Sequence, residues 1–246
     1  CLLVDVGNSW VKWSDPERLS QGILSTFPTQ GLMESLDAQW SGLKRADAVW
    51  ISSVAGESTN RAIRHWLSDT WGVTADFLQA TDHQLGVRNG YQSPSQLGID
   101  RWLALIAARA LSHLPLIVVD CGTAVTVDGM DATGQHLGGL ILPGQQLMRE
   151  SLLGKTAIAD LAESSSRDYF ATNTAAGIRS GALLATNCLI KKMYEVMSER
   201  SKTEVSCFLT GGDAELIKDS LDIPFKHEPA LVLYGLALVA DASPTS

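Results

Sequence analysis

The sequence has no long hydrophobic run, and no stretch approaches the roughly 20 apolar residues that a membrane-spanning helix needs. It also shows no basic N-terminal segment followed by an apolar core, so no signal peptide is predicted. No segment is rich in lysine and arginine, and the net charge of the 246 residues is −8. These absences favour a cytoplasmic protein and argue against nucleic acid or membrane as a main partner.

Cysteine is scarce, and the sequence also lacks several familiar site motifs. The four thiols (Cys1, Cys121, Cys188 and Cys207) have no C-x-x-C spacing, and the histidines have no metal-site spacing. We therefore predict neither a disulfide framework nor a structural zinc site. There is no P-loop, no G-x-G-x-x-G after a strand and no G-x-S-x-G elbow. Any nucleotide site must be built in another way.

What the sequence does contain is a repeated pattern of apolar strand, aspartate and tight turn. The motif "DVGN" follows an apolar run near the N-terminus, and "DCGT" follows another such run half a chain later. Asp120 stands 115 positions after Asp5, and Gly122 stands 115 positions after Gly7. A constant offset also equates Ser9 with Ala124. Two copies with matched flanks predict a duplicated domain.

The apolar periodicity predicts two α/β lobes, at 1–114 and 115–246. Predicted strands are 2–6, 9–13, 48–54, 73–79, 116–120, 124–130, 136–142 and 205–210. Predicted helices are 58–72 with Ser58 as N-cap, 95–111, 144–153, 174–199, one from about 213, and 229–241. The Gly- and Pro-containing stretch 80–94 predicts a functional loop, and "AESSSRD" at 162–168 predicts a mobile loop.

Each Asp-x-Gly turn can present backbone N–H groups and small polar side chains to phosphate oxygens. Asp5 and Asp120 stand at strand ends, where two carboxylates could hold a divalent metal next to a triphosphate. Lys12 could reach the same phosphates as a point charge. One such motif alone is usually a carboxylate that caps its own turn. The repetition favours the phosphate-site interpretation.

A third turn, Gly211-Gly212, follows the apolar strand "CFLT" and precedes a predicted helix. Glycine permits a close approach of the backbone to a ligand at a helix N-terminus. A tight strand-to-helix connection explains the same residues equally well, so this motif alone does not decide between the two.

The pair Asp100-Arg101 lies in the first turns of the predicted helix 95–111, directly after the loop 80–94. An ionised aspartate there could accept the proton of a substrate hydroxyl during phosphoryl transfer. The neighbouring arginine could then orient an anionic part of the substrate. The alternative is a solvated surface pair, because an acid near a helix N-terminus is often only structural.

Six segments together resemble the type III pantothenate kinases, in the order of that family: "DVGNSWVKW", "GYQSPSQLGIDRW", "VVDCGTAVTVD", "GGLILPG", "NTAAGIRSG" and "LTGGDAEL". The resemblance spans nearly the whole chain. It implies an α/β protein with a duplicated ribonuclease-H-like (actin-like ATPase) fold, in which each lobe has a mixed sheet flanked by helices. It also implies ATP-dependent phosphorylation of pantothenate to 4'-phosphopantothenate, with Mg²⁺, a monovalent cation (K⁺ or NH₄⁺) and a homodimer.

The resemblance implies residue roles as well. Asp100 matches the general base, and Asp120 matches the acidic residue near the metal and the monovalent cation. The positions that match the ATP and phosphate side are Asp5, Gly7, Asn8, Ser9, Lys12, Gly122, Thr123, Thr126, Gly211 and Gly212. The positions that match the pantothenate pocket are Tyr91, Gly98, Arg101 and Thr174, the last reaching the substrate of the partner subunit.

The residues by themselves predict only a two-lobed phosphoryl transferase with an aspartate base. The substrate and the dimer come from the resemblance. Two alternatives stay open at this point: a non-catalytic regulatory protein on the same fold, and another small-molecule kinase or a phosphatase of the same superfamily, such as an acetate or sugar kinase.

Overall fold

The computed structural model describes residues 1–153 and 169–243, and the chain divides into two compact units. Unit 1 comprises Cys1–Leu111 and the C-terminal segment that begins at Ala230, and unit 2 comprises Ser112–Pro229. The stretch 162–168, predicted as a mobile loop, lies outside the described residues.

Among the described residues, unit 1 contains a five-stranded sheet, a small hairpin and five α-helices. The strands are β1 (Leu2–Val6), β2 (Trp10–Ser14), β3 (Ser25–Pro28), β4 (Val49–Ser53) and β5 (Ala75–Phe77), and the hairpin is β6 (His83–Gln84) and β7 (Val87–Arg88). The helices are α1 (Pro16–Ser20), α2 (Leu32–Trp40), α3 (Glu57–Trp66), α4 (Ile99–Leu111) and, at the C-terminus, α8 (Leu231–Ala242).

Unit 2 contains a second five-stranded sheet. Its strands are β8 (Leu116–Cys121), β9 (Ala124–Met130), β10 (His136–Pro143), β11 (Ser206–Thr210) and β12 (Lys226–His227). Its helices in the described residues are α5 (Gln145–Leu153), α6 (Thr174–Ser201) and α7 (Ala214–Ile217).

The two sheets have the same topology. Unit 1 has the strand order β3-β2-β1-β4-β5, and unit 2 has the order β10-β9-β8-β11-β12. In each sheet the second strand of the unit runs antiparallel to its neighbours, and the remaining pairs are parallel. This confirms the predicted duplication and the α/β ribonuclease-H-like fold, with a mixed sheet in each unit.

The alternation of side chains along β1 and β2 separates two faces of the first sheet. One face packs its aliphatic residues against α2 and α3, in a core that also holds the aromatic cluster Trp13, Phe27, Trp40, Trp66 and Trp71. The opposite face therefore carries the intervening residues, among them Asp5. The strand period thus places the polar site residues away from this aromatic core.

Helix α8 belongs to unit 1. The sequence-based division places it in the second lobe, 115–246. In the structure α8 packs against α4, β1 and β4, all in unit 1. A Cβ atom on Gly235 would lie 2.0 Å from the carbonyl oxygen of Leu103, so only glycine permits this close helix crossing. The chain therefore returns to its first unit after Pro229, which no local pattern reveals.

Helix α3 begins one residue earlier than predicted, and the helical segment stops at the predicted glycine. Its N-cap residue is Gly56 rather than Ser58, and Glu57 occupies the first turn, where it also accepts from Arg64 at 2.9 Å. The helix continues as a π-helical turn and ends at Gly72, whose φ of 62° lies in the left-handed region. The glycine stop was predicted correctly, and the N-cap was wrong.

The helix predicted at 95–111 is shorter than expected. A 3₁₀ turn spans Pro94–Gln96, Leu97 is extended, and α4 begins only at Ile99. The sequence analysis also missed several short elements, namely α1, β3, α2, β12 and the β6–β7 hairpin. In the part of the chain that the structure describes, none of the helices is long and apolar enough to cross a lipid bilayer.

Candidate functional site

The carboxylate of Asp5 lies in a row of polar side chains that crosses the first sheet. Its direct cross-strand neighbours are Lys12 on β2 and Ser52 on β4, so the three side chains share one face. The hydroxyl of Ser52 donates to Asp5 Oδ1 at 2.9 Å, and Asp5 is only 8% exposed. The structure therefore fixes this carboxylate and places Lys12 beside it.

The turn after β1 exposes its small polar side chains. Asn8 and Ser9 are exposed, whereas the N–H of Gly7 donates to the carbonyl oxygen of Trp10 at 2.9 Å. The N–H of Gly7 is thus already bonded inside the turn. The sequence predicts that this turn presents its N–H groups to phosphate, and the N–H of Gly7 is not one of those available.

The second turn repeats the first with one residue fewer. Asp120 has Thr126 on β9 and Thr210 on β11 as its cross-strand neighbours, in the positions that Lys12 and Ser52 hold around Asp5. The N–H of Gly122 donates to Ala124 at 3.0 Å. The second site therefore presents a hydroxyl where the first presents an ammonium group.

The shorter second turn shifts the register of the repeat. The constant offset equates Ser9 with Ala124, but strand pairing equates Trp10 with Ala124, because these two face Pro28 and Pro143 on the outer strands. The sequence alignment of the two copies is therefore wrong by one residue after the turn.

Gly211 directly follows β11 and packs against the end of β8 in the second site. Its φ is +98°, and a Cβ atom there would lie 2.2 Å from the carbonyl oxygen of Cys121 and 2.5 Å from Asp120 Oδ1. The N–H of Asp213 donates to the same carbonyl at 2.8 Å. Gly212, by contrast, is exposed and has no atom within 4 Å of a built Cβ position. The two glycines thus have different surroundings.

Negative charge is concentrated at this end of β8. Burial raises the pKa of the Cys121 thiol, and the nearby carboxylates of Asp120 and Asp213 raise it further. Burial also raises the pKa of Asp213 above its ordinary value. Asp120 and Asp213 are both half-buried, and carboxylate oxygens are suitable ligands for a hard cation.

No cluster of three or more acidic, histidine or cysteine side chains that could hold a metal occurs among residues 1–153 and 169–243. Each of the aspartates in the two turns, taken by itself, still fits a hard divalent cation, because Mg²⁺ can take a single carboxylate and complete its shell with phosphate oxygens and water.

Asp100 is the second residue of α4 and belongs to a compact group in unit 1. Its Oδ1 atom accepts from the N–H of Arg101 at 2.7 Å. A Cβ atom on Gly98 would lie only 2.6 Å from the same oxygen, so glycine leaves room for this carboxylate. Asp100 is half-buried, which fits a group that contacts a ligand rather than one that is fully solvated.

Arg101 connects this carboxylate to the preceding loop. Its side chain is only 7% exposed, and Nη1 donates to the hydroxyl oxygen of Tyr91 at 2.8 Å. The guanidinium also lies 5.6 Å from the centroid of the Tyr91 ring. The structure thus brings Tyr91, Gly98, Asp100 and Arg101 together in unit 1.

Buried Asn89 shapes the loop that carries Tyr91, and the sequence analysis missed it. Its side-chain amide donates to the carbonyl oxygens of Thr81 and Pro94 at 3.1 and 3.2 Å. Its Oδ1 accepts from the N–H of Tyr91 at 3.0 Å. An asparagine inside a Gly- and Pro-containing loop is the one local signal that could have indicated this role.

The Asp5 row and the Asp100 group meet at the same end of the first sheet. The N–H of Val54, two residues after Ser52, donates to the carbonyl oxygen of Val6 at 3.1 Å. A Cβ on Gly98 would lie 3.8 Å from the side chain of Val54. Phosphate-side and acceptor-side candidates of unit 1 therefore converge at the carboxyl ends of β1 and β4.

Thr174 lies elsewhere, as the first and exposed residue of α6 in unit 2. Asn173 caps this helix, its side chain accepting from the N–H of Ala176 at 2.9 Å. Next to this helix, Tyr169 and Phe170 are 81% and 93% exposed. They line a groove of about 390 Å³ together with residues of α6.

Comparison with known families gives one match over most of the chain. The family described as type III pantothenate kinase matches residues 1–196. A type III pantothenate kinase from Azoarcus sp. is 39% identical, over 98% of this chain and 90% of the relative. One from Nitrosococcus oceani is 36% identical, over 97% of this chain and 93% of the relative.

Solved structures show the same fold. A protein from Campylobacter jejuni that is named as a member of the Baf family of transcriptional activators aligns with a TM-score of 0.60 at 21% identity, over 98% of each chain. The Alp12 filament protein aligns with a TM-score of 0.51 at 10% identity, again over 98% of each chain. At these identities the similarity concerns the fold alone.

Proposed function

Because the chain belongs to the type III pantothenate kinase family, we infer that it is a pantothenate kinase. It transfers the γ-phosphoryl group of ATP to pantothenate and forms 4'-phosphopantothenate, the first step of coenzyme A biosynthesis. This conclusion rests on the family match and on the alignment of this chain with type III pantothenate kinases over nearly the full length of both chains. We further propose that the enzyme acts in the cytoplasm, where ATP is available.

On the nucleotide side, we propose that the two Asp-x-Gly turns bind the phosphates of ATP. The residues assigned to this role are Asp5, Gly7, Asn8, Ser9, Lys12, Gly122, Thr123, Thr126, Gly211 and Gly212. The polar rows around Asp5 and Asp120, and the exposure of the turn side chains, support the assignment. Lys12 supplies positive charge for phosphate oxygens.

We propose that Asp120 is the acidic residue next to Mg²⁺ and next to a bound K⁺ or NH₄⁺. When bound, the divalent ion neutralises charge on the phosphate oxygens. The concentration of carboxylate charge around Asp120 and Asp213 supports a cation in unit 2.

On the acceptor side, Asp100 is proposed as the general base. It accepts the proton of the terminal hydroxyl of pantothenate while that oxygen forms a bond to the γ-phosphorus and the bond from this phosphorus to the bridging oxygen breaks, releasing ADP. Arg101, positioned by Tyr91, pairs with the carboxylate of pantothenate. Gly98 leaves space beside the Asp100 oxygen.

A coupled assay of ADP release, with Mg²⁺ and either K⁺ or NH₄⁺, tests this function. We expect turnover that depends on pantothenate and is absent with acetate or a hexose as acceptor. Turnover with acetate or sugar instead of pantothenate would support the other-kinase alternative. Nucleotide binding without turnover on any acceptor would support the regulatory alternative.

Replacing Tyr91 with phenylalanine tests the acceptor pocket. The change removes only the hydroxyl that accepts from Arg101, so the guanidinium loses one partner that orients it. We expect the KM for pantothenate to rise about three- to tenfold, in line with one lost charge-assisted hydrogen bond, while the KM for ATP stays unchanged. Tyr234→Phe is the matched control, because it also removes one tyrosine hydroxyl, which donates to the carbonyl oxygen of Leu19 at 3.3 Å. An equal rise in both KM values would contradict the assignment.

We propose that the protein is a homodimer in which Thr174 reaches the pantothenate of the partner subunit. Two exposed aromatic residues and the groove beside α6 support an interface there, because monomers rarely leave such rings fully in water.

Mixing two inactive variants tests the shared site. If Thr174 acts across the interface, a mixed dimer of Asp100→Asn and Thr174→Val subunits contains one intact site. Random exchange at equal amounts then restores about one quarter of the wild-type rate. If Thr174 acts within its own subunit, or if the protein is a monomer, mixing restores nothing. Light scattering of the wild type measures the oligomeric state independently.

A further inference from the structure

The outer strands β3 and β10 end in the same way and at equivalent positions. Each ends in proline, Pro28 in unit 1 and Pro143 in unit 2. In strand register these prolines face Trp10 and Ala124, the equivalent residues at the starts of β2 and β9. The residue after each proline therefore lies beside an Asp-x-Gly turn.

The residues that follow these prolines are Thr29 and Gly144, and each forms a backbone hydrogen bond to the adjacent turn. The N–H of Thr29 donates to the carbonyl oxygen of Ser9 at 2.9 Å, and the N–H of Gly144 donates to that of Thr123 at 2.9 Å. The same backbone hydrogen bond therefore occurs in both units, and it fixes the carbonyl group of the last polar residue of each turn.

In unit 1 the side chain of Thr29 adds a second bond. Its hydroxyl donates to the carbonyl oxygen of Gly7 at 2.9 Å. Thr29 therefore holds the carbonyls on both sides of exposed Asn8. Unbonded turn carbonyls could rotate toward a bound anion and repel it, so a fixed turn favours phosphate binding.

In unit 2 the shorter turn leaves no space for such a side chain. A Cβ atom on Gly144 would lie 2.1 Å from the carbonyl oxygen of Gly122 and 2.8 Å from that of Thr123. The same corner therefore requires glycine in one unit and uses threonine in the other. The longer turn of unit 1 has space for the threonine side chain, and the shorter turn of unit 2 does not.

We propose that Thr29 is a positioning residue for the first phosphate-binding turn and that Gly144 is its counterpart for the second. This proposal rests on the proposed function, because it assumes that the turns bind the phosphates of ATP. Neither residue contacts substrate in this account. Both act by fixing the conformation of the residues that do.

The variants Thr29→Val and Thr29→Ser distinguish the hydrogen bond of the Thr29 hydroxyl from the hydrogen bond of its backbone N–H. Valine keeps the shape and the N–H of residue 29 but loses the bond to Gly7, whereas serine keeps both bonds. We expect Thr29→Val to raise the KM for ATP about three- to tenfold, with the KM for pantothenate and the Tm unchanged. Thr29→Ser should restore the wild-type KM to within about twofold.

Thr133→Val is the matched control. The Thr133 hydroxyl also stabilises a hairpin turn, donating to Asp131 at 2.7 Å. That turn joins β9 to β10 at the end of β9 opposite to Gly122. We expect all kinetic constants of this variant to stay at wild-type values. Gly144→Ala should weaken binding of ATP and also lower the Tm, because its Cβ would overlap two turn carbonyls, whereas Gly42→Ala, with no atom within 4 Å of the built Cβ, should change neither.

Binding of a non-hydrolysable ATP analogue with Mg²⁺, measured by calorimetry without pantothenate, distinguishes this proposal from the function it rests on. If the wild type binds the analogue but does not phosphorylate pantothenate, the proposed function fails, and weaker binding by Thr29→Val still supports the positioning role. Wild-type affinity in Thr29→Val overturns the positioning role. A general loss of Tm in that variant, or no nucleotide binding by the wild type, also overturns it.

Discussion

Replacing Asp100 with asparagine is expected to lower kcat for pantothenate phosphorylation by about 10²- to 10⁴-fold. Asparagine keeps an Oδ1 atom that can accept from the N–H of Arg101, the bond that now measures 2.7 Å. The start of α4 should therefore be preserved, while the basicity of the group is lost. The KM for ATP should remain within about twofold of the wild type, since a base contributes to the chemical step rather than to ground-state nucleotide binding.

Asp69→Asn is the matched control for this change. Asp69 also lies in a helical segment of unit 1, but its carboxylate is exposed and pairs with His65 at 2.8 Å. Surface pairs of this kind contribute little to stability, so the control should keep wild-type kcat and Tm. If Asp100→Asn retained turnover within about threefold of the control, the assignment of the base would be wrong.

Replacing Gly211 with alanine is expected to damage both stability and nucleotide binding. The new Cβ would overlap the carbonyl of Cys121 and the carboxylate of Asp120, at a φ of +98° that disfavours any side chain. Strain and overlap together should destabilise the protein by about 2–5 kcal/mol, which lowers the Tm by roughly 5–15 °C. Because the Asp120 carboxylate must move, affinity for an ATP analogue with Mg²⁺ should fall at least about tenfold.

Gly212→Ala provides the internal comparison, since it makes the same chemical change one residue later. No atom lies within 4 Å of its built Cβ, and its φ is not positive. The Tm should therefore stay at the wild-type value. If Gly212 contacts the nucleotide through its backbone, the added methyl group lowers affinity without loss of stability. Unchanged affinity would contradict that assignment, and an unchanged Tm in Gly211→Ala would contradict the packing argument.

Local sequence patterns predicted much of the fold because its main strands are apolar and bounded by clear turn residues. The hairpin of β1 and β2, the strands β8 to β10 and the duplication were all predicted from such patterns, and the structure confirms them. The family resemblance predicted the enzyme class, which the comparisons confirm.

Features that depend on long-range register could not be predicted. Ser52 is 47 positions from Asp5 in sequence yet bonds to its carboxylate, because β4 pairs in parallel with β1. The one-residue difference between the two turns is visible only once the outer strands define which residues face each other. The packing of α8 against α4 also joins segments that are distant in sequence, so local patterns could not predict it.

Short elements were missed because they carry too few residues to show a period. Strand β3 has one buried residue, Phe27, and α1 has one, Leu19. Gly211 illustrates a different limit. Its sequence context fitted both a ligand contact and a tight connection, and only the distance to Asp120 shows that packing alone already requires glycine. The roles of the individual site residues stay predictions.

The central claim is that this chain phosphorylates pantothenate with ATP by using Asp100 as the base. The most direct measurement is phosphorus NMR of the reaction products, made on wild type, Asp69→Asn and Asp100→Asn with pantothenate, ATP, Mg²⁺ and K⁺ or NH₄⁺. The account predicts a phosphomonoester of pantothenate formed together with an equal amount of ADP by the first two proteins and strongly reduced in the third. Absence of that phosphomonoester with the wild type, or equal formation by all three proteins, would contradict it.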